Sequence, residues 1–257
     1  MCELFGISAN RKIRIDGFLT HFFNHSKEHP NGWGMAFFDG SKADIEKEPC
    51  RAEDSLYLKK KLSERIVSSR MVAHIRKATK GEICLENTHP FEMRDESGRN
   101  WVLVHNGTIF ESKELSPYQY KQTGGTDSER ILLYIVDRIN SELEEELNGF
   151  DANERIRLID SIVRTLAEHN KLNLLIYDGD YFYVHKNEEG TLYMSKKQGS
   201  VLFSTHPLSD KGWEEVPQNR LIVYKDGEEV YVGDEHPYTY ILSKEDEKLL
   251  YLEYAAI

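Results

Sequence analysis

The chain has 257 residues, 39% of them hydrophobic and 11% aromatic, enough to bury the core of one large domain or two small ones. Lys and Arg number 33 against 44 Asp and Glu, a formal charge of −11, and this acidic balance argues against general nucleic-acid binding, which needs a basic footprint. The three cysteines, Cys2, Cys50 and Cys84, are odd in number and far apart. They form no CxxC pair and no disulfide framework, the usage of a reduced, cytoplasmic protein.

Polar Asn10, Arg11, Lys12 and Arg14 interrupt the early apolar run, so no secretory signal is read there. No apolar stretch approaches the length of a membrane span. Leu4–Ala9 reads as a short strand directly behind Cys2. Ile13–Phe23 carries Ile15, Phe18, Leu19, Phe22 and Phe23 at helical spacing. His29-Pro30-Asn31-Gly32 reads as a turn into a strand over Gly32–Asp39, and Ala43–Lys47 pairs with it as a hairpin. Leu56–Leu62 is predicted helical; Val67–Ile75 and Trp101–His105 read as buried strands, with a Pro-containing loop, Asn87–Phe91, between them.

Thr126 and Glu129 fit a capping box that opens a helix over Thr126–Ile139, with Ile131, Leu132, Ile135, Val136 and Ile139 as its apolar stripe. A second such helix covers Ile156–His169. Six short strands follow, at Leu172–Tyr177, Tyr181–His185, Thr191–Ser195, Val201–Thr205, Leu221–Lys225 and Glu228–Val232. Asp178-Gly179-Asp180 and Asp226-Gly227 mark hairpins between neighbours. Strands, then helices, then hairpin-linked strands suggest antiparallel sheet packed with helices, an α+β protein without an internal boundary. Residues 233–257 read as a C-terminal extension. Its charged Ser243–Lys248 and apolar Leu249–Ile257 suit a docking tail or part of the core.

Cys2 is the residue with the sharpest chemistry. Removal of Met1, expected before a small second residue, would leave a thiol and a free α-amine on one residue. An α-amine titrates near pH 8 and a thiol near 8.5, so the amine can take the thiol's proton as it attacks a carbonyl. Arg76, at the end of a strand, offers a planar fork that grips a carboxylate. Asn106-Gly107 is first of all a turn signal, but an amide side chain and a glycine N–H can also converge on one oxygen as an oxyanion hole. Asp127 follows Gly124-Gly125-Thr126 at a helix start, where the dipole favours an acid and where a substrate ammonium could also be received. A carboxylate clamp and an ammonium clamp match the two ends of an α-amino acid. A carbonyl further down that side chain would then meet the thiol, and glutamine and γ-glutamyl amides fit. His21, His25 and His29, spaced four apart, would line one helix face if the helix reached so far. No HExxH and no cysteine accompanies them, so they read as ordinary surface or core histidines rather than metal ligands.

Seven stretches then align in order and spacing with one family: Met1–Gly6, Asn31–Gly34, Ala73–Arg76, Glu86–Phe91, Arg99–Trp101, His105–Gly107 and Thr126–Glu129. They resemble the class II glutamine amidotransferases of the N-terminal-nucleophile superfamily, and most closely its small standalone, YafJ-like branch. The resemblance covers Cys2 to at least Val232 and implies a single domain, 1–257, built as a four-layer αββα sandwich. It implies Cys2 as nucleophile with its α-amine as base, and Asn106 with the Gly107 N–H as oxyanion hole. It further implies Arg76 on the substrate α-carboxylate, Asp127 on the α-ammonium, and Thr79 and Gly125 as pocket contacts. His74, His89 and His105 fall in matching segments, but the family's chemistry requires no histidine base, no cofactor and no metal. Larger members often carry Ala-Thr-His-Gly where this chain has Ala78-Thr79-Lys80-Gly81, so closure over the substrate is expected to differ. They also continue into a synthase domain, so an ammonia-accepting partner here would be a separate polypeptide. The expected reaction is hydrolysis of glutamine or a related γ-glutamyl amide through a Cys2 thioester. The alternatives are a hydrolase of another γ-glutamyl compound and a non-catalytic glutamine- or glutamate-binding regulator.

Overall fold

The computed structural model describes residues 2–110, 112–145 and 150–255, with side chains described to residue 250. Met1, and with it the question of its removal, lies outside the described residues, as do the side chains of the apolar run's last seven positions.

Two antiparallel sheets form the centre. The first has seven strands: β1 (Glu3–Arg14), β2 (Trp33–Asp39), β3 (Lys42–Glu48), β4 (Val67–Ile75), β9 (Tyr193–Lys197), β10 (Ser200–Ser204) and β11 (Glu214–Glu215). Their order is β11-β9-β10-β1-β4-β2-β3. The second has β5 (Phe91–Arg94), β6 (Asn100–Thr108), β7 (Lys171–Tyr177), β8 (Phe182–His185), β12 (Ile222–Lys225) and β13 (Glu228–Val232), in the order β13-β12-β8-β7-β6-β5.

Alternation along the strands sorts the side chains into three apolar layers. Leu4, Ala36, Val72, Val104, Leu175 and Phe203 meet between the sheets. Phe5, Ile7, Trp33, Met35 and Ala73 point the other way, onto α1 (Asp16–Asn24) and α2 (Leu56–Leu62). On the far side Trp101, Leu103, Leu172 and Leu174 face Ile131, Ile135, Ile159 and Val163 of α3 (Asp127–Glu145) and α4 (Ala152–Ala167). The result is the expected αββα sandwich. Each fully buried Phe, Ile or Leu of these layers contributes about 1.5–3 kcal/mol.

Several elements differ from the sequence reading. β1 runs on through the polar Asn10–Arg14, because a register shift between Ser8 and Ile13 lets Ile13 and Arg14 pair with β4 while the polar residues between face solvent. β6 does not stop at His105. It continues through Asn106-Gly107, paired to Asn173 and Leu172, so this Asn-Gly is strand and not turn. Phe91, the last residue of the expected loop Asn87–Phe91, instead opens an unpredicted strand, Phe91–Arg94, that pairs with β6 just after a cis His89-Pro90 bond. The Thr126 cap is half made. Thr126 Oγ1 accepts the Glu129 N–H at 3.3 Å, but Glu129 reaches past Thr126 to the N–H groups of Thr123 and Gly124. The full capping box belongs to α4, between Asp151 and Glu154, which starts that helix earlier than its apolar stripe. The final segment holds one helix, α5 (Lys244–Ala255), spanning both its charged and its apolar part.

Candidate active site

β1 and β4 bring the N-terminus beside Arg76. Glu3 pairs with Ile75, so the residues just before and just after this pair, Cys2 and Arg76, emerge together at one sheet end. The start of β1 is fastened on its other side, where Leu4 N–H donates to Thr205 Oγ1 at 2.8 Å and Thr205 N–H to Leu4 O at 3.0 Å. The half-buried Cys2 Sγ lies 3.4 Å from both the N–H and the C=O of Lys77. Loss of solvent pushes the thiol pKa up, against the Lys77 N–H and the Arg76 charge, which pull it down. A thiol so placed keeps its proton at neutral pH and needs a base during attack. Among the described residues both hydrogen-bond contacts of Sγ are with Lys77, and neither is with a histidine.

Arg76 is 2% exposed, and its guanidinium is already partly engaged. Nη1 donates to Glu82 O at 2.9 Å; Nη2 donates to Lys80 O at 2.7 Å and Gly81 O at 2.9 Å. The side chain therefore folds the loop 77–82 around itself, and a bound carboxylate would share or displace these carbonyls. Asn31-Gly32 splints the same exit, with Arg76 N–H donating to Gly32 O at 2.8 Å and Ala78 N–H to Asn31 Oδ1 at 3.0 Å. Lys80, the departure from the larger family members, sends Nζ to Ile109 O at 3.1 Å. Thr79 is half-buried on this loop.

Asp127 is the first residue of α3 and 6% exposed. Its Oδ2 accepts Ile109 N–H at 2.8 Å, and its Oδ1 lies 3.3 Å from Ser128 Oγ. The Cys2 and Asp127 charges both favour the charged form of Arg76, against the burial that lowers its pKa. Gly125 closes against the Arg76 loop: a Cβ added to it would stand 3.5 Å from Gly81 Cα.

Asn106 and Gly107 lie on β6, which crosses beneath that sheet end. His74 on β4 contacts the carbonyl of His105, one residue earlier, at 3.2 Å. Gly107 is dictated by space. An added Cβ would stand 2.0 Å from Lys171 O and 2.3 Å from His105 Nε2.

One residue of this site was missed by the reading of residue types. Asn87 is 3% exposed; its Nδ2 donates to Glu82 O at 3.0 Å while its Oδ1 accepts Gly125 N–H at 2.7 Å. A single amide thus ties the Arg76 loop to the loop before Asp127. Gly124 allows this, since a Cβ there would come within 2.2 Å of Asn87 Oδ1. The only sequence signal was membership in the Glu86–Phe91 stretch.

The histidines stand behind the site. His74 stacks on His89 at 4.0 Å, and burial holds both well below the ordinary imidazole range, hence neutral. The spacing of His21, His25 and His29 makes no shared helical face, because α1 ends at Asn24. His21 Nδ1 contacts Leu208 O at 3.0 Å, while His25 and His29 lie 2.8 and 3.6 Å from the Glu3 carboxylate. Among the described residues no group of three or more His, Cys, Asp or Glu is arranged to hold a metal ion. No helix among them is long and apolar enough to cross a membrane.

Two antiparallel sheets between helical layers, with a cysteine at the head of the first sheet's central strand, define the class by its fold, an αββα sandwich opened by an N-terminal cysteine segment. The same fold is seen in a predicted glutamine amidotransferase from Pseudomonas aeruginosa (TM-score 0.62, 22% identity, 90% of this chain and 100% of that one). It is seen again in the glutamine phosphoribosylpyrophosphate amidotransferase from B. subtilis (TM-score 0.63, 18% identity, 88% of this chain and 47% of that one). Residues 1–198 match the family model for glutamine amidotransferases class-II, and the chain belongs to that family. It is similar to the putative glutamine amidotransferase YafJ of Escherichia coli, 33% identical over 70% of this chain and 71% of that one. A putative glutamine amidotransferase of Haemophilus influenzae is 26% identical over 90% of this chain and 86% of its own. The gamma-glutamyl-hercynylcysteine sulfoxide hydrolase of Mycobacterium tuberculosis is 25% identical, over 82% of each chain.

Proposed function

We propose that this protein hydrolyses the side-chain amide of glutamine, or of a related γ-glutamyl amide, through a thioester on Cys2. The observation that carries the reading is geometric: the β1–β4 register sets Cys2 beside Arg76, and Asn87 ties the Arg76 loop to the Gly125 turn that leads into Asp127. In this reading Asp127 receives the substrate α-ammonium and Arg76 its α-carboxylate, with Thr79 and Gly125 lining the pocket. The δ-carbonyl then lies at Cys2. Once Met1 is removed, the Cys2 amine takes the thiol proton as sulfur attacks carbon. Asn106 Nδ2 and the Gly107 N–H hold the developing oxyanion. Collapse expels ammonia or an amine, which leaves with the proton, and water cleaves the thioester to give glutamate. The domain spans the chain, with residues 233–257 as an extension, and works in the cytoplasm, where its cysteines stay reduced.

A second substrate reading, hydrolysis of a larger γ-glutamyl compound, is favoured by the similarity to the mycobacterial hydrolase. A panel of L-glutamine and γ-glutamyl amines, assayed for glutamate release by Met1-free protein, separates the two. Glutamine turnover above all others supports the glutaminase; turnover confined to γ-glutamyl amines supports the second reading. Calorimetry on the same preparation covers the regulator alternative, for which glutamine binds without product.

A further inference from the structure

The geometry points to Ser128 as a positioning residue that sets the Asp127 carboxylate for the substrate ammonium, with His105 holding Ser128. This rests on the reading of Asp127 just given. Three buried side chains form a chain from the oxyanion strand to the ammonium site. His105 on β6 is 2% exposed, Ser128 on α3 is 3% and Asp127 is 6%. His105 Nδ1 stands 3.0 Å from Ser128 Oγ, and Ser128 Oγ stands 3.3 Å from Asp127 Oδ1.

A serine hydroxyl has one proton and can accept a second bond. Burial lowers the His105 pKa, so the ring is neutral and carries a single proton. The carboxylate at the end of the chain is the strongest acceptor, which assigns the Ser128 proton to Asp127 Oδ1. His105 Nδ1–H then donates to Ser128 Oγ. The remaining contact, Nε2 to Lys171 O at 3.4 Å, is the longest of the set and is the one left without a proton. The other carboxylate oxygen, Oδ2, accepts Ile109 N–H at 2.8 Å. Each oxygen therefore has one internal donor and keeps a lone pair for the ligand. Two fixed donors on different elements lock the carboxylate plane, where one would leave it free to turn about its Cβ–Cγ bond.

The arrangement also explains why His105-Asn106-Gly107 acts as a unit. The His105 ring lies against Gly107, so close that a Cβ there would stand 2.3 Å from Nε2. The histidine that holds Ser128 thus belongs to the strand that carries Asn106. The ammonium end and the carbonyl end of the substrate are spaced by one side-chain chain rather than by two independent loops.

The test is a double-mutant cycle read by L-glutamate calorimetry and by KM and kcat for the best substrate. Ser128→Ala is expected to weaken glutamate binding and raise KM about tenfold, with kcat within about threefold of wild type. Ser128→Thr, which keeps the hydroxyl, restores binding, and His105→Gln moves KM in the same direction as Ser128→Ala. Combined with Asp127→Asn, Ser128→Ala has no further effect, because its target is already gone. A tenfold loss that persists in the Asp127→Asn background overturns the proposal, as does a kcat loss at unchanged KM. If Asp127→Asn weakens glutamate but Ser128→Ala does not, the inference fails while the reading of Asp127 stands. If Asp127→Asn changes nothing, or wild type does not bind glutamate, the ammonium-site reading falls and takes the inference with it.

Discussion

The two halves of this site are held by different physics. Asn106 and Gly107 sit in β6, paired along its length with β7, and backbone hydrogen bonds fix them. The Arg76 loop and the Gly124-Gly125 loop have no sheet around them. They are held by side chains reaching to backbone: Arg76 to three carbonyls, Asn87 to one carbonyl and one N–H. A strand position tolerates no shift without breaking its ladder, whereas a loop tied by single side chains can loosen one bond at a time. The contrast suggests where precision and adaptability lie. In the proposed reaction the rigid strand half serves the reacting carbonyl, and the adjustable loop half serves recognition of the amino-acid end.

The sharpest way to break that comparison is in the strand. Asn106→Ala is expected to lower kcat about 10²–10³-fold with little change in KM, the usual loss for one oxyanion donor. A change confined to KM in steady-state kinetics would reverse the assignment of the two halves. Gly107→Ala should cost about 1–3 kcal/mol of stability, since its Cβ would stand 2.0 Å from Lys171 O and neither backbone can move away. Urea unfolding measures it, and an unchanged midpoint would show that β6 is not rigid there. In the loop half, Asn87→Ala should raise KM about tenfold and leave kcat within about threefold, because it frees two loops without touching the carbonyl. An equal loss in kcat would mean the halves are not separable.

A further effect is on pH dependence, and it reports on the rigid half. His185 on β8 donates Nδ1–H to Leu172 O at 2.6 Å, and its Nε2 meets His236 Nε2 at 3.0 Å. Tyr238 N–H donates to His236 Nδ1 at 3.3 Å, so His236 carries its proton on Nε2 and gives it to His185. Neither ring can take a second proton without losing an acceptor. Burial lowers His185 to about 3 and His236 to about 4, against about 6.5 in an unfolded chain. A depressed histidine contributes stability that is complete above the unfolded pKa and lost as pH falls toward the folded one. Stability should therefore drop between about pH 6.5 and 4, by up to about 1.4 kcal/mol per pH unit per histidine. His236→Gln should flatten this slope in urea midpoints taken across the range; an unaltered slope would remove the pair as its source.

How much of this was legible in the sequence follows the same division. Most strands of both sheets were readable from apolar pattern and turn signals, although β5 and β11 were not, and residue types singled out the Cys2, Arg76, Asn106-Gly107 and Asp127 segments as candidates. What failed was local. Asn106-Gly107 looked like a turn because the signal is defined over neighbours, while its strand state depends on β7, more than sixty residues away. The polar end of β1 broke the alternation because a bulge turns it to solvent. Asn87 was invisible as a fastener, since its partners Glu82 and Gly125 meet only in the fold. Nothing about residue types could show that Arg76 would be partly occupied by its own loop.

The central claim rests on Cys2 and its amine. The direct measurement is glutamate and ammonia release from L-glutamine and γ-glutamyl amides by protein whose Met1-free N-terminus is verified by mass spectrometry. Cys2→Ala and a stably extended N-terminus are measured beside it. The account predicts turnover in the processed protein alone, with both variants folded and inactive. Undiminished turnover in a folded Cys2→Ala protein, or in one whose Cys2 amine is blocked, would contradict it.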